Sequence, residues 1–205
     1  MADWATISSL ATAGGTLVLA AATFASVKSA NRSARIAERS LQLGLRPILV
    51  PARPEDPPEN VPFPDRMFEL PAGRALVEED DGILFLGLSL RNVGAGLAIL
   101  EGGYVRAARV GAGIPHADPE QFRLLQRDLF VPAGATGYWH ASLRDPDVDM
   151  YRELRPAIEE RQAISIELLY GDFEGGQRTI TRFGVLPRGD GWSAAVMKHW
   201  SVDAE

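Results

Sequence analysis

Between Trp4 and Val27 the chain reads WATISSLATAGGTLVLAAATFASV, with no charged side chain anywhere in the run. As a helix rising about 1.5 Å per residue, this stretch would be roughly 36 Å long, enough to cross the ~30 Å hydrocarbon core of a bilayer. Ala, Ser, Thr and Gly dilute its apolar residues. A central Leu or Ile gains only about half a kcal/mol on insertion, so the balance favours a membrane span by a small margin. Two alternatives compete with that assignment. A secretory signal peptide could use the small residues at Ser26–Ala30 for cleavage, but the opening MADW carries Asp3 and neither Lys nor Arg, the wrong charge for an n-region. A helix buried in a soluble core would need helical partners, and nothing downstream supplies two of them.

The flanks predict an orientation. Lys28, Arg32, Arg35 and Arg39 follow the apolar run within one short segment, and positive charge stays on the cytoplasmic side. A single-pass plasma-membrane protein is therefore expected, with its amino terminus outside and the remaining chain in the cytoplasm. The four cations recur at i, i+4, i+7 and i+11, which puts them on one helical face. Such a stripe would lie against anionic headgroups at about 1 kcal/mol per cation. It would equally serve as a plain stop-transfer signal, and both roles can hold together. The lipid bilayer is thus the first expected partner.

Charge is divided unevenly along the chain. Residues 1–46 hold five cations against Asp3 and Glu38, a net +3; the whole chain is −6, so residues 47–205 carry −9. An acidic domain on a basic stalk is a poor candidate for nucleic acid. With no cysteine, disulfides, thiolate metal sites and a thiolate nucleophile are excluded, as suits a cytoplasmic domain.

Residues 28–43 are rich in Ala, Arg, Glu and Leu and should continue the helix to a terminator at Gly44. Val27, Ala30, Ala34, Ala37 and Leu41 form a short heptad-like seam. Ser8, Thr12, Thr16 and Ala20, and separately Ala11 and Gly15, give small-residue ladders within the span. Either could pair helices in a homo-oligomer. Residues 45–65 read as a connector that opens on an apolar strand at Pro47–Val50 and then becomes too proline-dense for helix.

From Met67 the hydrophobic period falls to two. Met67–Leu70 and Arg74–Glu79 read as strands about a Pro71–Gly73 turn, and Ile83–Arg91 is the clearest strand, with Leu84, Leu86, Leu88 and Leu90 on one face. Leu97–Val110 is a long strand with a bulge expected at Gly102–Gly103. Gln126–Val131 and Gly137–Leu143 read as a hairpin about Pro132–Gly134. Asp145 and Pro146 form a helix-start pair; Val148, Tyr151 and Leu154 are expected to face inward, and Pro156 to kink or restart the helix. Ala163–Tyr170, Gln177–Leu186 and Trp192–Ser201 complete the set. The expected fold is mainly β: a transmembrane helix (residues 4–27), a basic juxtamembrane helix (28–44), the connector (45–65) and an antiparallel β-sandwich with one short helix (66–205).

The run LSLRNVGAGLA at Leu88–Ala98 resembles the Asn-x-Gly turn of immunoglobulin-like bacterial sandwich modules. With RPILV at Arg46–Val50 and LLYGDFEGGQRTITRF at Leu168–Phe183, the layout of nearly the whole chain resembles a group of actinobacterial single-pass membrane proteins. That resemblance implies an immunoglobulin-like fold and a membrane address, and it carries no activity. The motif residues need only turn chemistry. Asn92 can bond its own backbone two residues on, and Gly94, Gly96, Gly171, Gly175 and Gly176 supply backbone freedom.

Catalytic patterns do not emerge. His116, His140 and His199 lie on different elements without ligand spacing to one another. Asp145, Asp147 and Asp149 lack the Gly and Glu of a calcium loop, having Met150 and Pro156 at those places. Glu78–Asp81 reads as a solvated turn. Gly94-x-Gly96 and Gly111-x-Gly113 do not extend to a nucleotide fingerprint, and Ser193, Ser201 and His199 lack a nucleophile elbow. Trp139, Trp192 and Trp200 read as core or rim aromatics. No cofactor and no enzyme activity are expected. The expected function is an interaction or scaffold module with a protein partner, the alternative a ligand sensor or enzyme with its own pocket.

Overall fold

The computed structural model describes residues 3–108, 111–123 and 129–203. The chain divides after Gly44 into two compact units.

The first unit is one uninterrupted helix, α1 (Trp4–Gly44, 41 residues). Its Ser8–Glu38 portion contains a window of mean hydropathy 1.6, none of it buried, so the helix is long and apolar enough to span a membrane. Leu10, Leu17, Val18, Leu19, Phe24 and Val27 are all exposed. The hydroxyls of Thr12, Thr16 and Thr23 donate to the carbonyls of Ser8, Thr12 and Leu19, four residues back, at 2.8–2.9 Å. Bonding hydroxyls within the helix removes much of the cost of placing them in hydrocarbon.

The second unit is mainly β and antiparallel. Its strands are β1 (Leu49–Pro51), β2 (Glu59–Pro62), β3 (Met67–Leu70), β4 (Arg74–Asp80), β5 (Ile83–Asn92), β6 (Ala98–Arg106), β7 (Leu129–Val131), β8 (Thr136–Leu143), β9 (Ile164–Gly171), β10 (Thr179–Arg188) and β11 (Gly191–Ser201), with helix α2 (Asp149–Glu159) between β8 and β9. One sheet follows the order β1-β5-β4-β11-β10-β9-β6-β7, with β8 on the other edge of β5. Only Ala75–Trp192 and Arg74–Ser193 join β4 to β11. The sheet turns there, and its two halves close on a shared core.

That core sets Leu84, Leu86, Leu88 and Leu90 of β5 and Trp139 of β8 against Ile164, Ile166, Leu168 and Tyr170 of β9 and Phe183 and Val185 of β10. Gly103 makes room for the largest of these groups: a Cβ there would lie 2.5 Å from the Trp139 ring. The bulge in β6 falls at Glu101, one residue ahead of the glycine pair, where the register to β9 shifts between Leu100 and Gly102.

Alternation along β5 and β9 does not separate buried from exposed residues, because all of β9 and nearly all of β5 are buried on both faces. Two outer covers account for this. Over β5 lies the β2–β3 hairpin, a separate two-stranded sheet, whose Val61, Phe63 and Leu70 pack on Leu76 and Phe85. Phe63 meets Phe85 and Phe68 edge-on at 5.0 and 5.4 Å. The proline-dense stretch is therefore not a plain connector: β2 sits inside it, because Val61 and Phe63 alternate inward and Pro62 ends the strand. Over β9 and β10, Ala117 and Phe122 cover Leu169 and Ile180, positioned by a 3-10 turn at Pro119–Gln121 that Asp118 caps through the Glu120 N–H.

Four further expectations change. β7 does not form a hairpin with β8: Leu129–Val131 pairs with β6 and Thr136–Leu143 with β5. The intervening turn is drawn onto the end of β5, where the Asn92 N–H donates to Ala135 O at 3.0 Å and the Gly134 N–H to Asn92 O at 2.9 Å, so the chain crosses between the halves. The first residues of the expected Gln126–Val131 strand, and residues 109–110 of the preceding one, lie outside the described residues. Helix α2 takes Val148 rather than Asp145 as its N-cap, without a side-chain capping bond. Asp145 instead accepts from the Asp147 N–H at 2.9 Å, in a turn ahead of the helix. Tyr151 and Leu154 are buried, Val148 is exposed, and the helix runs through Pro156 to Glu159.

The outer cover over β9 and β10 is pinned by a buried ion pair, Glu167 with Arg182, which are 1% and 0% exposed. Removing one member strands the other, at a cost of about 3–5 kcal/mol, whereas replacing both with apolar residues of similar volume is close to neutral. Arg182→Met should therefore lower the denaturant midpoint far more than the double change Arg182→Met with Glu167→Leu, measured on the full chain in detergent.

Candidate functional site

Opposite residues of β10 and β11 share a face, and the register pairs Thr179 with Ser201, Ile180 with Trp200 and Thr181 with His199. Thr179, Thr181, His199 and Ser201 therefore line one side of the ribbon, and Ile180, Arg182 and Trp200 the other. Beside the first side runs the segment entering β1. Arg46 and Ile48 with Thr179, His199, Trp200 and Ser201 enclose a cleft of about 200 Å³.

A chain of hydrogen bonds leads from the interior to this cleft. The Leu49 N–H donates to the Tyr170 hydroxyl at 3.1 Å, which lies 2.8 Å from Thr181 Oγ1, itself 2.7 Å from His199 Nδ1. The polarity follows from the fixed end. Thr181 Oγ1 is the one acceptor within reach of the Tyr170 proton among the described residues, so Tyr170 donates to Thr181 and Thr181 to Nδ1. His199 is thereby held as the Nε2–H tautomer. Burial raises the Tyr170 pKa. Burial first, then the Arg46 charge, pushes the His199 pKa below its ordinary value.

Arg46 donates from Nε (3.2 Å) and Nη2 (3.0 Å) to Thr179 Oγ1. That oxygen receives both bonds, so its own proton is directed elsewhere. Among the described residues Arg46 pairs with no carboxylate. Arg178, next to Thr179 in sequence, is neutralised by Asp203 at 2.8 Å.

On the reverse side of the ribbon lies the buried pair. Arg182 Nε donates to Glu167 Oε1 at 2.7 Å, Nη1 to the carbonyls of Gly111 and Ile114, and Nη2 to Pro115 O and to Glu167. The second carboxylate oxygen accepts the Ala117 N–H at 2.8 Å. Trp200 covers the guanidinium at 4.8 Å, and the His116 ring meets Trp200 edge-on at 5.5 Å. This arrangement is structural, with every donor of the guanidinium engaged.

The turn residues have a different cause from the one their types imply. Asn92 is fully buried and uses all its side-chain capacity. Oδ1 accepts the N–H of Ile48 (3.1 Å) and Gly94 (3.0 Å), while Nδ2 donates to Gly96 O (2.7 Å) and Val131 O (2.9 Å). Neither Gly94 nor Gly96 has a positive φ. They are required because the chain at residues 45–48 lies against them: a Cβ on Gly94 would be 2.6 Å from Ile48 N, and one on Gly96 would overlap the Leu45 carbonyl oxygen. Gly171 makes space for the Glu101 carboxylate, 2.8 Å from where its Cβ would be, and burial raises the Glu101 pKa. Gly175 has φ +75° and needs glycine for its backbone; Gly176 has open space and no such demand.

Lys28, Arg32 and Arg35 are exposed along α1, and the Arg39 side chain lies outside the described residues. His140 is buried on β8 against Phe63 at 4.9 Å. Among the described residues no cluster of His, Asp and Glu could hold a metal ion. The sequence marks Arg46 and His199 separately, without bringing them to one cleft. The one signal of the cleft was the Thr-x-Thr and His-x-Ser alternation on adjacent strands. No protein-family model, curated protein or solved structure matches this chain.

Two outcomes follow. Gly96→Ala should destabilise the fold by about 1–3 kcal/mol or more, as overpacking against backbone does, while Gly176→Ala stays within about half a kcal/mol; thermal unfolding separates them. Because the His199 pKa is depressed in the fold, its neutral form is favoured there. Stability from this group is complete above the unfolded pKa of about 6.5 and is lost as pH falls below it. Arg46→Gln removes one depressing charge, so the His199 pKa should rise, read from its ring-proton titration.

Proposed function

We propose that this protein is a membrane-tethered interaction module: α1 holds an immunoglobulin-like β domain at the inner face of a bilayer, where the domain presents its surface to a protein partner. The observation that carries this is the uncovered apolar surface around α1. Leu10, Leu17, Val18, Leu19 and Phe24 are each about 70% exposed, a run of uncovered apolar side chains that a soluble helix does not sustain. Lys28, Arg32, Arg35 and Arg39 follow it on one side only, favouring an inner location for the β domain. The likeness of its RNVGAGLA turn and its late hairpin to actinobacterial membrane modules points the same way. The second unit buries both faces of its central strands within its own chain, as an independent folded module does.

Full-length protein should remain in the membrane pellet after alkaline carbonate extraction and be released only by detergent. In the cysteine-free chain, Phe173→Cys on the exposed β9–β10 loop should be labelled by an impermeant maleimide only after cells are opened. Recovery in the soluble fraction rejects the tether, and labelling on intact cells rejects the orientation.

A further inference from the structure

We propose that the cleft between Arg46 and the β10–β11 ribbon is a receptor for a small oxyanion, a carboxylate or phosphate group. The polar groups at its wall are donors. Arg46 spends Nε and Nη2 on Thr179 and has Nη1 in hand. Thr179 Oγ1 accepts both of those bonds, which turns its own proton outward. His199 accepts from Thr181 at Nδ1, so its remaining nitrogen is an N–H. Ser201 adds a hydroxyl at the rim. Among the described residues no carboxylate lines the cleft and none pairs with Arg46.

A half-buried guanidinium without a counter-ion, next to a hydroxyl proton and an imidazole N–H, is a set of converging donors suited to a charged acceptor. Size limits the ligand. At about 200 Å³ the cleft is smaller than the ~300–1,000 Å³ typical of drug-sized ligands and fits one such group. Neighbouring charge does not cancel the site, since Arg178 and Asp203 neutralise each other.

This goes beyond the membrane-tether proposal and needs no bilayer, so its failure would leave that proposal standing. The test is an NMR titration of the full chain in a phosphate-free maltoside detergent, at constant ionic strength set with chloride. Inorganic phosphate and acetate are the two probes. Saturable shifts of the His199 ring and Thr179 amide are expected with at least one of them, and the anion that saturates first tells phosphate from carboxylate. Arg46→Gln should weaken binding at least tenfold, Arg46→Lys less, and Thr179→Val should also weaken it, each with a folded amide spectrum. Arg46→Lys and Thr179→Val carry the test if Arg46→Gln fails to fold. Shifts that stay linear to high anion concentration, or that are unchanged in the folded Arg46 and Thr179 variants, overturn the proposal.

Discussion

Arg182 is fully buried with one carboxylate for company, and the outer layer of the β domain is arranged to satisfy it. A guanidinium has five N–H donors and cannot shed its proton, so burying it unpaired would be prohibitive. Glu167, on the same outward face of β9 as Leu169, takes the charge. The backbone from Gly111 to Ala117 takes the remaining donors and the free carboxylate oxygen. A segment of mostly small residues is thereby fixed over β9 and β10, and Phe122 can follow it down to cover Leu169 and Ile180. The bulge at Met197, where the β10–β11 register shifts beside Arg182, adds twist at the same point.

Much of this was legible in sequence and some of it could not be. Four leucines at alternate positions in Ile83–Arg91, and alternation in Ala163–Tyr170, mark strands because a pleated backbone sends successive side chains to opposite faces. Such alternation cannot reveal that the opposite face is buried too. In β10, Arg182 occupies a place that elsewhere would be solvent-facing, and its partner, Glu167, is fifteen residues away on another strand. The β2 strand was hidden because proline density masked the Val61–Phe63 alternation. The failed β7–β8 hairpin shows the same limit: a Pro-Ala-Gly turn predicts a reversal but not which strands it joins, and the buried Asn92 decides that.

Asn92 also explains why the glycines of RNVGAG matter. A buried amide with four hydrogen bonds draws the 45–48 segment, the 94–96 turn and the end of β7 to one point. Backbones brought that close leave no room for a Cβ. Steric exclusion by the incoming chain, and not conformational freedom, is what makes Gly94 and Gly96 necessary. The same junction fixes where Arg46 sits, since it lies two residues before the Ile48 N–H that Asn92 accepts.

The cleft at that junction raises a question of charge. Residues 47–205 carry −9, a field that would repel any anion approaching from a distance. At physiological ionic strength, however, exposed charges more than about 8 Å apart are largely screened. The groups that decide affinity are therefore the nearby ones: Arg46, His199 and the neutralised Arg178–Asp203 pair. Long-range repulsion would slow association, an effect that added salt relieves, while the donors at the wall set how long an anion stays. Unlike Arg182, whose every proton is committed, Arg46 keeps a donor to offer at the cleft.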